Sequence, residues 1–211
     1  LEKVEIPIIM SQTPEIAFCG KVPKRTEIVN KIIPGGYLIE ELAEFVLQKH
    51  NIATLVIVNT KAAAKSLYQK LKLQNQNTVH LSTNMCPEHR DMVFSELRGR
   101  LIKREDVICV STQLIEAGVD ISFECVIRDI AGLDSILQAA GRCNRHNEYG
   151  EVKNVYVVNI AGENLDMLPD IKIGAEKTRR LFDDNNLSID EYYKHYFYAQ
   201  KNMMSYPTKN G

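Results

Sequence analysis

The sequence lacks the features that mark membrane-spanning and secreted proteins. No apolar run approaches the roughly 20 residues that a helix needs to cross a bilayer. The first ten residues, LEKVEIPIIM, lack the basic region followed by an apolar stretch that marks a secretory signal. The chain begins with leucine rather than methionine, and we expect it to be part of a longer protein. With 45% hydrophobic and 25% charged residues, we predict a globular cytoplasmic protein without a membrane partner.

Cysteine usage and net charge narrow the class of protein further. The five cysteines are odd in number, and no two of them are spaced as CxxC. This pattern argues against a zinc ribbon and predicts reduced thiols, as in the cytoplasm. The 26 basic and 27 acidic residues leave a formal net charge of −1. A neutral total neither favours nor excludes nucleic acid, because a local groove can be basic when the whole chain is not.

The chain also lacks the sequences that hold a nucleotide by its phosphates. It contains no GxxxxGK[ST] loop, whose backbone amides cradle phosphates, and no DExx sequence that would place a carboxylate for Mg²⁺. Its 211 residues are enough for one sizeable α/β domain, or for a domain with an appendage. We therefore expect a folded chain that binds no metal and hydrolyses no ATP by itself.

Apolar periodicity predicts strands and helices in alternation. Three apolar runs, at 53–59, 106–111 and 124–129, have the length of buried strands. Residues 78–82 are predicted to form a further strand, and residues 151–160 alternate like a strand nearer an edge. Segments with helical spacing lie before and between them, at 37–50, 60–72, 86–101 and 134–145. Short buried strands in alternation with helices are typical of an α/β fold with a mostly parallel sheet flanked by helices.

The same pattern divides the chain into three parts. Residues 1–36 are predicted to form an irregular lead-in with one strand, residues 37–162 the α/β domain, and residues 163–211 a helical extension. The second helix of the extension contains four tyrosines, Tyr192, Tyr193, Tyr196 and Tyr198. They could stack on nucleobases, but packing against the sheet is the favoured alternative.

The string QAAGRCNRH at the end of the fourth helix is the most specific feature. If a helix capped by Asp134 continues through it, Gln138, Arg142 and Arg145 share one face, since they are four and three residues apart. Two guanidiniums on one face can bracket an oxyanion with several directed donors. Gly141 leaves room for another surface to approach. A solvated helix face is the alternative, but the rarity of the full string favours an anion site.

A second candidate site follows the strand predicted at 106–111. In the string STQLIEAGVD, Thr112 offers a hydroxyl at a strand end, where a phosphate could be held. Gly118 permits a tight backbone, and Asp120 places a carboxylate that could accept from a ribose hydroxyl or orient an arginine. Taken alone, this string is an ordinary loop, and its distance from QAAGRCNRH strengthens the functional interpretation.

Two further segments add polar side chains after strands. In HLSTNMCPEHR, Ser82 ends a predicted strand and Arg90 lies in the next helix's first turn, where each could contact a sugar-phosphate backbone. Thr60 stands at a helix N-terminus, which attracts anions. A surface arginine and a plain helix cap are the alternatives. Because ligands collect at the carboxyl ends of parallel strands, we expect these segments and Gln138 to lie at one edge of the sheet.

Three strings together carry a family resemblance: LSTNMCPEHR, STQLIEAGVDISF and LDSILQAAGRCNRHNEYG. They resemble the second RecA-like domain of superfamily 2 helicases, and most closely the helicase core of the CRISPR-associated helicase-nuclease of type I systems. The first two strings separate this family from DEAD-box RNA helicases. The resemblance covers residues 37–160 and implies a RecA-like fold of the P-loop NTPase type.

The resemblance implies a motor that shares its active site with another domain. Gln138, Arg142 and Arg145 would form motif VI and face ATP and Mg²⁺, which the first RecA-like domain mainly binds. The two arginines would stabilise charge on the γ-phosphate, an effect typically worth about 10³–10⁵ in rate. Gly118 and Asp120 would belong to motif V and lie at the nucleotide, linking it to the DNA.

The resemblance also implies partners. Thr60, Ser82 and Thr112 would contact phosphates of single-stranded DNA, along which closure of the two domains would drive translocation. In the whole protein a metal-dependent HD nuclease domain would cut the strand, and a guide-RNA surveillance complex of the CRISPR system would recruit the protein. The five histidines of this chain form no HD cluster, so that metal chemistry is expected elsewhere.

Two other interpretations stay open. The chain could be the motor domain of another superfamily 2 branch, such as a repair or RNA helicase. An HD-type metal cluster upstream of the motor would favour the CRISPR interpretation over this one. Alternatively, the chain could be a nucleic-acid-binding module that keeps the fold without turnover, and DNA-stimulated ATP hydrolysis would distinguish the two classes.

Overall fold

The computed structural model describes residues 25–82, 84–115, 121–184 and 192–196. Its strands are β1 (Thr26–Asn30), β2 (Ala53–Ile57), β3 (Thr78–Leu81), β4 (Val107–Ser111), β5 (Cys125–Asp129) and β6 (Lys153–Val158). Its helices are α1 (Ile39–Lys49), α2 (Lys61–Gln74), α3 (Pro87–Ile102), α4 (Leu133–Ala140) and α5 (Pro169–Asp183), with a 3-10 turn at Gln113–Ile115. None of these described helices has the length and apolar character that a bilayer crossing requires.

The six strands pair in one parallel sheet, in the order β1-β6-β5-β2-β4-β3. Parallel neighbours need crossover connections, and the helices between the strands supply most of them. β2, β4 and β5 are buried at every position, as expected of strands with helices on both faces. The continuous apolar runs therefore predicted the central strands correctly, and the predicted parallel sheet with flanking helices is confirmed.

The edges of the sheet differ from the prediction. β6, expected nearer an edge, lies between β1 and β5, and β1 and β3 are the outer strands. β1 comes from the predicted lead-in and pairs with β6 in parallel register, with Thr26 opposite Lys153. The sheet therefore begins before residue 37, whereas the division of the chain into domains stays a prediction.

Helices cover both faces of the sheet. On one face, Val46 of α1 belongs to the same apolar cluster as Val56 of β2. On the other face, Leu97 of α3 and Ala139 of α4 cluster with Leu55 of β2. Leu55 and Val56 are neighbours in sequence but serve opposite cores, because side chains alternate along a strand. The strands' buried runs are thus apolar at consecutive positions because both faces must be filled.

The described part of the helical extension packs back on the domain through a tyrosine and two glycines. Tyr192 is 2% exposed and shares an apolar cluster with one leucine each from α4 and α5. A Cβ added at Gly174 of α5 would lie 2.9 Å from the Cα of Gly132, so the backbones approach closely there. Tyr192 therefore packs against helices rather than against the sheet as predicted, Tyr193 is exposed, and Tyr198 lies outside the described residues.

Replacing Gly174 by alanine should destabilise the protein, because the new Cβ would meet the backbone of Gly132. Overpacking of this kind typically costs about 1–3 kcal/mol, which outweighs the gain in helix propensity. At Gly99 of α3, a Cβ would meet no described atom within 4 Å. Gly99→Ala should therefore stabilise the protein by about 0.5–1 kcal/mol. Denaturant unfolding measures both changes, and equal effects would contradict the close approach of Gly174 to Gly132.

Candidate functional site

The fourth helix ends before the two predicted arginines. α4 begins one residue before Asp134, which lies in its first turn and does not cap it, and Gly141 is the C-cap. The helix predicted over 134–145 is therefore too long by one turn. The prediction that Gln138, Arg142 and Arg145 share one helix face is wrong.

The reason is a pairing between the segment after α4 and the chain before β5. The N–H of Phe123 donates to the carbonyl of Arg142, and the N–H of Asn144 donates to the carbonyl of Phe123, each at 2.9 Å. Cys143 and Phe123 thereby form a short parallel bridge. Asn144 takes a φ of 45°, a conformation that asparagine adopts more readily than most residues. Because the carbonyl of Arg142 and the N–H of Asn144 are bonded to Phe123, they cannot take part in a further turn of helix.

The turn still brings the predicted residues to one place. A surface pocket of about 510 Å³ is lined by Arg25, Gln138, Gly141, Arg142, Arg145 and His146. Arg142 is 8% exposed, Arg145 is half-buried and Gln138 is exposed. Three guanidiniums around one pocket can present several directed donors to an anion, with the planar geometry that suits phosphate.

Arg25 is the residue of this pocket that the sequence did not reveal. It immediately precedes β1, in the segment predicted as lead-in, and lies 120 positions from Arg145. Its Nη1 donates to the carbonyl of Arg145, and the side-chain amide of Asn144 donates to the carbonyl of Arg25 at 3.1 Å. Only the pairing of β1 with β6 brings these residues together, and no local pattern marks it.

The pocket lies where the strands begin, which we call the amino edge of the sheet. The other predicted residues lie where the strands end, which we call the carboxyl edge. Arg25 and Phe123 precede β1 and β5, whereas Thr60, Ser82 and Thr112 follow β2, β3 and β4. α4 runs back from the carboxyl end of β5, so its last turn reaches the amino edge. The expectation that all candidate residues meet at one edge is therefore wrong, and they form two separate groups.

Three hydroxyls form a row along the carboxyl edge. Thr60, Thr112 and Ser82 follow β2, β4 and β3, which are adjacent in that order in the sheet. Ser82 and Thr112 are 8% and 9% exposed, and Arg90 of α3 is half-buried. Gly118 and Asp120 lie outside the described residues, so their places stay predictions.

Thr60 both caps α2 and binds a distant carboxylate. Its Oγ1 accepts from the N–H of Ala63 at 3.2 Å, which confirms the helix cap. The same hydroxyl donates to Oε1 of Glu163 at 2.9 Å, and the N–H of Thr60 donates to that oxygen at 3.1 Å. Glu163 lies in the loop after β6, 103 positions away, and no pattern in the sequence indicates this contact.

Asn59, the residue before Thr60, belongs to a buried polar network between β2 and β5. The side-chain amide of Asn59 donates to Oδ2 of Asp129 at 2.6 Å and to the carbonyl of Ile130 at 2.9 Å. Its Oδ1 accepts from Nη1 of Arg128 at 2.8 Å. Burial, and then the negative charge of Glu163, raise the pKa of Asp129 well above its usual range, although Arg128 opposes the shift. The surroundings thus favour a neutral carboxyl at Asp129.

Comparison with known proteins shows which family part of the chain resembles. Residues 50–148 match the family described as CRISPR-associated nuclease/helicase Cas3, C-terminal. The Cas3 nuclease/helicase of Haloferax volcanii is 67% identical over 43 residues, which are 20% of this chain and 5% of that protein. That of Methanothermobacter thermautotrophicus is 29% identical over 94 residues, 44% and 11% of the two chains. The chain thus spans only a small part of these relatives' length.

The chain shares its fold with solved Cas3 structures. T. fusca Cas3-ADP matches with a TM-score of 0.67 at 17% identity, over 84% of this chain and 24% of that one. A CRISPR RNA-guided surveillance complex, pre-nicking, contains a chain that matches with a TM-score of 0.63 at 16% identity, over 88% of this chain and 26% of that one. At identities this low, the structural matches establish the fold alone, and they confirm the predicted RecA-like architecture.

Asp129→Asn should change how stability depends on pH. Because its pKa is raised, Asp129 holds a proton more tightly in the folded than in the unfolded state. Its contribution to stability is therefore full below the ordinary pKa of 3.8 and is lost as pH rises through the raised value. Asparagine keeps the shape without the charge. The variant should thus be more stable than the wild type at neutral and alkaline pH, but not in acid.

Thermal unfolding across the pH range measures this difference. Asp91→Asn is the matched control, because Asp91 is exposed on α3 and the same change there should leave the pH dependence as it is. A wild-type pH profile for Asp129→Asn would show that the buried carboxyl is not held in its neutral form.

Proposed function

We propose that this chain is the second motor domain of an ATP-dependent helicase of CRISPR interference that moves along single-stranded DNA. The observation that carries the proposal is the pocket at the amino edge, where Gln138, Arg142 and Arg145 come together. An arginine-lined pocket in a chain without a phosphate loop suits an anion that another domain holds. The match of residues 50–148 to Cas3 favours the CRISPR branch over repair and RNA helicases.

In this proposal, ATP and Mg²⁺ are bound mainly by the first RecA-like domain of the same protein. Arg142 and Arg145 supply guanidiniums at the γ-phosphate, where negative charge is spread over three oxygens in the transition state. The bonding of their turn to Phe123 fixes the donors beforehand, so that little reorganisation is needed when charge develops. Gly118 and Asp120, which follow β4 in the sequence, are proposed to lie at the nucleotide.

The carboxyl edge is proposed to hold the DNA. Thr60, Thr112 and Ser82 offer hydroxyls in a row, and Arg90 adds a positive charge nearby. Hydroxyl and backbone N–H donors bind phosphates without reading base sequence, as a translocating motor requires. With nucleotide and strand at opposite edges, closure of two domains around ATP changes the grip on DNA without competition between the ligands.

The proposal extends to the whole protein. A metal-dependent HD nuclease domain would cut the translocated strand, and a CRISPR surveillance complex would recruit the protein in the cytoplasm. The curated relatives are named both nuclease and helicase, and one structure with this fold is a CRISPR RNA-guided surveillance complex, which supports both partners. The chain by itself is proposed to hydrolyse no ATP.

Arg145→Ala in the intact protein should lower kcat for DNA-stimulated ATP hydrolysis by about 10³-fold or more, the typical contribution of an arginine finger. KM for ATP and the affinity for single-stranded DNA should change little, because the guanidinium acts on transition-state charge and lies far from the proposed DNA contacts. Arg145→Lys keeps the charge but not the planar fork and should recover only part of the rate.

Arg180→Ala is the matched control, because Arg180 is exposed on α5 and should not affect hydrolysis. The chain alone, without the first motor domain, should show no turnover. Unchanged hydrolysis in Arg145→Ala, or clear turnover by the chain alone, would refute the shared active site.

A further inference from the structure

Glu163 occupies the hydrogen-bond donors that the proposed function assigns to a DNA phosphate. We propose that the Glu163 carboxylate is an internal competitor for the phosphate at Thr60 and thereby limits the affinity of the carboxyl edge for single-stranded DNA. This inference rests on the proposed function, because it requires Thr60 to contact the strand.

The geometry of the contact is that of an anion bound at a helix N-terminus. The N–H and the hydroxyl of Thr60 converge on one oxygen of Glu163, at 3.1 and 2.9 Å. A phosphate oxygen would take the same two donors at the positive end of α2. Lys61, the exposed first residue of α2, adds a positive charge beside them and donates to Asn84 at 2.8 Å, next to Ser82 in the row of hydroxyls.

The contacts of the Glu163 carboxylate are polar, so another anion can replace it at Thr60. Glu163 lies in the loop between β6 and α5, where most side chains are exposed or half-buried. Its carboxylate accepts from Thr60 and, at 3.3 Å, from the amide of Asn59, and it shares a side-chain hydrogen bond with the buried Asp129. Gly162, just before it, has a φ of 67°, which glycine adopts without strain. A loop held mainly by polar contacts can swing away when a stronger anion takes its donors.

Two negative charges close together beside Thr60 would repel each other, so only one is favourable there. Asp129 is fully buried beside Glu163, and its pKa is raised first by burial and then by the negative charge of Glu163. With Asp129 neutral, the donors of Thr60 serve either Glu163 or a phosphate, and the two exclude each other.

The test measures the affinity of the intact protein for a labelled single-stranded oligothymidine by fluorescence anisotropy. Glu163→Gln should raise the affinity by about three- to tenfold, because a neutral amide competes less well for donors that favour a charged acceptor. Glu105→Gln is the matched control: Glu105 is exposed before β4 at the amino edge, so the same loss of charge there should change the affinity far less.

Variants of Thr60 test whether the gain in DNA affinity from Glu163→Gln depends on the hydrogen-bond donors of Thr60. Thr60→Val removes the hydroxyl and should weaken binding, whereas Thr60→Ser keeps it and should bind like the wild type. In the double variant Thr60→Val with Glu163→Gln, the gain from Glu163→Gln should largely disappear. Thermal unfolding of each variant checks that α2 remains folded without its cap.

The outcomes separate this inference from the proposed function. If Thr60→Val weakens binding and Glu163→Gln does not strengthen it, Glu163 is no competitor, and the inference is overturned while the motor proposal stands. If Thr60→Val binds like the wild type, Thr60 is not a DNA contact, and the inference falls with that part of the proposal. The effect of Arg145→Ala on hydrolysis tests the motor independently of both.

Discussion

The pairing of Phe123 with the segment after α4 decides where the arginines lie. Two backbone hydrogen bonds of 2.9 Å take the chain off its helical path and fasten the turn to the amino end of β5. A continued helix would instead carry Arg142 and Arg145 along the axis of α4. Because the turn is fastened, Gln138 and both arginines meet Arg25 in one pocket. The anion pocket and the row of hydroxyls are therefore separated by the length of a strand, about 17 Å.

The neutral net charge of the chain conceals two local clusters of ionisable side chains at opposite edges of the sheet. Arginines gather at the amino edge, while the carboxyl edge between β2 and β5 contains the carboxyl groups of Asp129 and Glu163. A buried carboxyl is costly unless it is neutral or hydrogen-bonded. Asn59 supplies a donor and Arg128 an opposing charge, yet the pKa of Asp129 stays raised. The carboxyl group of Asp129 is thus bonded within the domain, and the three arginines of the amino edge line a surface pocket.

Sequence patterns predicted those parts of the fold that depend on local periodicity. The runs of β2, β4 and β5 were recognised because strands buried on both faces are apolar at consecutive positions, and Thr60 was recognised as a cap from its place before a helix. The end of α4 was missed because helical spacing continues through CNR, and only the distant Phe123 ends the helix. Arg25 and Glu163 were missed for the same reason: their partners are 120 and 103 positions away. Contacts of this kind depend on strand order, which periodicity does not specify.

β5 connects the two proposed sites through hydrogen bonds. The chain before its amino end holds the arginine turn through Phe123, and Arg128 and Asp129 at its carboxyl end hold Asn59, the neighbour of Thr60. The strand is buried at all five positions and paired on both sides, so it is a rigid element rather than a loop. Coupling between distant sites travels through such rigid elements and hydrogen-bond networks. In the proposed motor, β5 is therefore the element through which closure around ATP at the arginine turn would reach the strand end beside Asn59 and Thr60. The exchange of Glu163 for a phosphate would then respond to closure, because the network that positions Asp129 beside Glu163 belongs to the same strand.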